Sequence, residues 1–184
     1  MKNKIIGLIL GVFLLSVVTG CGNSTTDGNI SGGSSNTKGN CTAIECIKKI
    51  NTSNTVEEIN SIIGFEGELT DEKYNKYYWK LSEDSGIEVT YYSSKNGTIV
   101  VDFDRDSVAN SKVNFSRYNE LQPKIKEGIS YQEFISYIGN VEGTIIEKSS
   151  ISTKYVWVAT DGSYLNGSFS NSSGKCTFAS GRIK

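Results

Sequence analysis

"TVEEINSIIG" (55–64) and "SYQEFISYIG" (130–139) are two versions of one pattern, 75 residues apart. Each opens on a hydroxyl residue, Thr55 or Ser130, and carries Glu58 or Glu133 three positions on. That is capping-box spacing: the hydroxyl accepts from the third backbone N–H and the carboxylate reaches back to the cap. Apolar residues at 56, 59, 62 and 63, and at 131, 134, 135 and 138, recur at helical spacing. Gly64 and Gly139 close the two segments, where only glycine enters the left-handed region cheaply.

The echo extends outward from these helices. "EGEL" (66–69) matches "EGTI" (142–145), and "YYWKL" (77–81) matches "YVWVA" (155–159), aligning Trp79 with Trp157. "SGIEVTYY" (85–92) answers "DGSYLNGSF" (161–169), and "KNGTIVVDF" (95–103) answers "SSGKCTFAS" (172–180). Asn96-Gly97 reads as a two-residue hairpin turn and Ser173-Gly174 as a weaker one. A short helical piece precedes each copy, Thr42–Ile50 and Arg117–Gln122, with Pro123 expected to end the second. The pattern predicts an α+β fold of two tandem helix-helix-four-strand repeats, residues 41–112 and 113–184. Side by side, they would form a curved eight-stranded antiparallel sheet with helices on one face.

In repeat 2 the order "I-K-E-G-I-S-x-x-E-F-x-x-x-I-G" (125–139), with the later Y-x-W, resembles the β-lactamase-inhibitor-protein-like superfamily. This includes the small outer-membrane assembly lipoproteins. Ile125, Gly128, Ile129, Ser130, Phe134, Ile138 and Gly139 carry the likeness, and repeat 1 keeps Ile50, Thr55, Ile59, Ile63 and Gly64. Repeat 1 departs at Ser53 and Asn54, where Gly and an apolar residue are expected. The resemblance implies a binding protein without chemistry: either a secreted inhibitor that clasps a β-lactamase with its concave sheet face, or an assembly scaffold.

The N-terminus speaks to location. Lys2 and Lys4 precede an apolar run from Ile5 to Val18, the layout of an export signal and too short for a comfortable membrane span. Val18-Thr19-Gly20-Cys21 resembles the lipobox of bacterial lipoproteins. The resemblance implies cleavage after residue 20 and lipid on Cys21, so that residues 1–20 are signal peptide. Two or three acyl chains, at ~0.8 kcal/mol per buried CH₂, hold a protein at a membrane where one does not. An ordinary secretory peptide with a chance cysteine is the competing reading. Residues 21–40, rich in Gly, Ser, Thr and Asn, read as a flexible linker.

Composition narrows the function. Of 19 basic residues two fall in the signal, against 20 acidic ones, so the remainder is net negative and no nucleic-acid partner is expected. Histidine is absent, which excludes Ser-His-Asp, Cys-His and His-metal chemistry. No phosphate-binding or nucleophile-elbow motif appears. The chain reads as no enzyme, with no cofactor. Asp102, Asp104 and Asp106 occupy positions 1, 3 and 5 of a calcium loop, but Ser107 and Val113 stand where Gly and Glu are needed. They read better as solvated charges blunting a sheet edge. Beyond Cys21, pairing among Cys41, Cys46 and Cys176 stays open: an odd count leaves at least one thiol over, and buried free thiols are an equal alternative.

Strand alternation then sorts side chains by face. Tyr77, Trp79, Leu81, Trp157, Ile87, Val89, Tyr91, Leu165, Phe169, Ile99, Val101 and Phe103 are expected inward, toward the helices. Tyr78, Lys80, Tyr92, Val156, Val158 and Tyr164 are expected on the helix-free face. A Tyr-rich apolar patch there suits a protein-binding surface, although scattered aromatics also decorate the wet faces of ordinary sheets. The expected function is that of a non-catalytic cell-envelope lipoprotein, held at the membrane by its N-terminal lipid and binding an unidentified protein through the concave face. β-Lactamase inhibition and a structural role in envelope assembly are the alternatives.

Overall fold

Capped helices and alternating strands assemble as an α+β structure. The computed structural model describes residues 38–93 and 96–184. Helices α1 (Ala43–Lys49) and α2 (Val56–Ile63) precede strands β1 (Glu68–Asp71), β2 (Lys76–Lys80), β3 (Gly86–Ser93) and β4 (Asn96–Asp102). A 3-10 turn at Arg105–Val108 follows, then α3 (Tyr118–Glu127) and α4 (Tyr131–Ser136). Strands β5 (Thr144–Lys148), β6 (Ser152–Val158), β7 (Tyr164–Ser170) and β8 (Cys176–Arg182) complete the chain. The eight strands form one antiparallel sheet in chain order, β1 to β8.

The capping boxes form where the hydroxyl-x-x-Glu spacing places them. Thr55 accepts from the Glu58 N–H at 3.3 Å while the Glu58 carboxylate accepts from the Thr55 N–H at 3.0 Å. Thr42 and Glu45 make a second box on α1. Ser130 makes only half of one, accepting from the Glu133 N–H at 3.3 Å. Gly64 ends α2 with φ +97°.

All four α-helices pack on the face that carries the two tryptophans. Ile47, Ile50, Ile59 and Ile63 meet Trp79, Leu81, Ile87, Val89 and Ile99 in one cluster; Leu121, Phe134 and Ile138 meet Trp157, Leu165 and Phe169 in a second. Each indole is seated the same way. The Trp79 Nε1–H donates to Asn60 Oδ1 at 2.8 Å and the Trp157 Nε1–H to the Val141 carbonyl at 2.8 Å. Gly67 lies against the first ring and Gly143 against the second, so closely that a Cβ on either would overlap it. The sheet is continuous across its middle, where β4 and β5 pair through Ile99↔Lys148 and Val100↔Glu147.

Several expectations require correction. Asn96 and Gly97 are not the hairpin turn: they belong to β4, paired with Ser93 and Tyr91, and the Gly97 N–H donates to the Thr52 carbonyl at 2.9 Å. Pro123 does not end a helix but lies inside α3, which runs on to a left-handed cap at Gly128. β4 is an interior strand, so Asp102, Asp104 and Asp106 do not blunt an edge; Asp104 instead caps the 3-10 turn by accepting from the Asp106 N–H. The body begins before residue 41, since the Lys38 N–H donates to the Leu81 carbonyl at 2.7 Å and the Asn40 N–H to Ile63 at 2.8 Å. Cys41 and Cys46 form a disulfide; Cys41 precedes the helix cap, which frees it to approach Cys46, and Cys176 remains a buried free thiol. Cys21, the signal and the linker up to residue 37 lie outside the described residues.

Candidate interaction face

Alternation puts the even-numbered residues of β2 and β3 on the face opposite the helices. Tyr78 stands there beside Glu88, its cross-strand partner. Its ring does not project: it lies over Gly86, close enough that a Cβ there would overlap the phenol. Burial, and then the Asp102 carboxylate toward which its hydroxyl points at 3.5 Å, raise its pKa. Lys80, at the end of β2, is exposed. Tyr92, near the far end of β3, is 76% exposed.

The six expected face residues do not form one patch. Tyr78 on β2 and Tyr164 on β7 are five strand spacings apart, roughly 24 Å at ~4.8 Å per spacing. Tyr164 faces outward as expected, but the Arg105 guanidinium lies on its ring, 3.9 Å from the centroid. Val156 and Val158 must be corrected: they sit on the helix-free side of β6 but are only 2% and 1% exposed. The chain linking β4 to α3 runs past this end of the sheet, and the Asn110 N–H donates to the Val158 carbonyl at 2.9 Å. The segment carrying the 3-10 turn, not one of the α-helices, packs against β6 on this side.

What occupies the middle of the face is a groove. Val100, Asp102, Arg105, Ile146, Glu147, Val156 and Asn166 line it. Ile146 gets there by alternation from Thr144, whereas Glu147 does so through an irregularity in the β5–β6 register, between Ile145 and Glu147, that alternation alone does not foresee. Two cross-strand ion pairs flank the groove, Lys76–Glu88 at 3.0 Å and Lys154–Glu147. Arg105 makes no ion pair among the described residues. Phe178 on β8 shares the face, being paired with Ser168, and is 57% exposed. Val100 was legible, lying between inward Ile99 and Val101; Arg105, Glu147 and Phe178 depend on a chain crossing and register shifts that carry no local signal.

Among the described residues no three His, Cys, Asp or Glu side chains are grouped to hold a metal ion, and no helix is long and apolar enough to cross a membrane. No family model, curated protein or solved structure matches the chain.

Proposed function

We propose that this chain is a non-catalytic lipoprotein of the bacterial cell envelope that binds another protein through the helix-free face of its sheet. The observation that carries the reading is an eight-stranded sheet with all four α-helices on one side. The other side offers exposed Tyr92, Lys80 and Phe178, the edge of Tyr78, and a groove lined in part by the Arg105 guanidinium, which makes no ion pair among the described residues. An apolar floor with charged walls suits a protruding loop that brings an aliphatic side chain and a carboxylate together.

The reading of two like halves is supported by two features. The order of two helices and four strands recurs, and each half seats a tryptophan against a glycine at the matching place. Lipid on Cys21 rests on the Val-Thr-Gly-Cys pattern and the apolar run before it.

Thermal melting beside partner capture tests the face. Tyr78→Ser with Tyr92→Ser should lower stability by no more than ~0.5 kcal/mol for each exposed group and somewhat more for Tyr78. It should weaken capture by ~2 kcal/mol or more. Early melting with normal capture would make the tyrosines structural. Labelled palmitate that still attaches to Cys21→Ala would remove the anchor.

A further inference from the structure

Among the described residues, strands β1 and β8 each have a single neighbour, and their free edges are opposite in charge. Residues 66–72 carry Glu66, Glu68, Asp71 and Glu72 with no cation; residues 162–184 carry Lys175, Arg182 and Lys184 with no side-chain carboxylate. No described residue pairs with the outer side of β1 or with β8 beyond its start. Glu68, Leu69 and Thr70 are exposed, as is β8 from Thr177 to Arg182 apart from half-buried Ala179. Only the start of β8 is covered, by Ile129 and Ser130: the Cys176 N–H donates to the Ile129 carbonyl at 2.7 Å. Unpaired edges are templates for further strands.

The strand count decides which partner fits. In an antiparallel sheet of eight strands, β1 and β8 run in opposite directions. A second copy laid beside β8 in the same orientation therefore presents β1 antiparallel to it and keeps its helices on the same side. Pairing β8 with another β8 is also antiparallel, but it brings together two edges that carry cations and no side-chain carboxylate. Charge thus selects β1. Glu68 pairs with Tyr78 and Arg182 with Tyr164, so both charges lie on the helix-free side, and a register that sets residue 68 across from residue 182 brings them together.

We propose that β8 of one molecule adds to β1 of a second copy, extending the sheet head to tail. The contact is heterologous, so it continues into a row or closes as a ring. It also joins neighbouring helix-free faces edge to edge, which goes beyond the binding of a single partner.

Sedimentation of the full chain in detergent micelles, at low and high salt over a range of protein concentrations, tests this. Association is expected at low salt and should weaken as salt screens the junction. Glu68→Arg alone and Arg182→Glu alone should each weaken it about tenfold, because each sets like charges together. The double variant Glu68→Arg/Arg182→Glu should restore it, and melting curves show whether each variant folds. Tyr92→Ser should leave association unchanged, which separates this contact from the partner-binding face. A wild-type monomer at every concentration, single reversals without effect, or a double variant that fails to recover would each overturn the proposal.

Discussion

Gly67 and Gly143 show how one missing side chain positions a large one. Each lets an indole approach the backbone closely, and the indole in turn donates its N–H to an oxygen, Asn60 Oδ1 or the Val141 carbonyl. Both glycines stand in matching tetrapeptides, "EGEL" and "EGTI", so their equivalence was legible; their role was not, because it depends on where a tryptophan ten or more residues away comes to rest. Gly67→Ala and Gly143→Ala should each cost ~1–3 kcal/mol by overpacking, read from urea unfolding. A cost confined to one of them would show that the two sites are not alike. Tyr91 yields a pH dependence. Its hydroxyl donates to the Asn54 carbonyl at 2.9 Å, and burial, aided by the Glu57 charge, pushes its pKa up to about 12. Below pH ~10 the phenol keeps its proton whether the chain is folded or not. Between about pH 10 and pH 12 only the unfolded chain loses it, so stability falls as pH rises. Over that window wild type should lose ~2 kcal/mol more than Tyr91→Phe. Parallel curves for the two proteins would refute the assignment.

Helix starts were legible because a cap is a local device: Thr55 and Ser130 act where the hydroxyl-x-x-Glu spacing puts them. Elements were misjudged where a distant contact outweighs local preference. Asn96-Gly97 has strong turn chemistry, yet Gly97 is drawn into β4 and bonds the Thr52 carbonyl from another part of the chain. Pro123 removes an N–H from α3, but the helix continues because Leu121 and Ile125, one turn apart, both reach the second core cluster. The middle of the sheet holds another contact of this kind. Lys148 on β5 donates from Nζ to the Ile50 carbonyl at 3.0 Å and the Lys48 carbonyl at 3.4 Å, the end of α1 in the other half of the chain. A cation at a helix C-terminus also meets the favourable end of its dipole. Burial lowers the Lys148 pKa. Lys148→Met keeps the aliphatic stem and loses those bonds, so it should cost ~1.5–3 kcal/mol in urea unfolding. No change would show that β4–β5 pairing and packing alone hold the halves together.

The described residues form one antiparallel sheet with helices covering one side, and that much follows from counting capped helices and alternating strands. The interaction face was less legible. Period two assigns each side chain to a side but does not say what else lies there, and the segment from Arg105 to Asn110 packs against β6 and Tyr164. The proposed binding surface consequently shifts toward β2–β5, with Tyr78, Lys80, Tyr92 and the groove beneath Arg105. Arg105→Ala should uncover Tyr164 while leaving the core clusters intact, and in partner capture it should cost more than any single exposed residue on the helical side. An equal loss from a helical-side substitution would argue against a groove-centred site. The most direct measurement is light-driven cross-linking in intact cells, with a photoreactive residue at position 92 on the sheet face or at 61 on exposed α2. A partner bound to the helix-free face predicts one discrete adduct from position 92 and none from 61, whereas the same adduct from both positions, or an adduct from 61 alone, would contradict it.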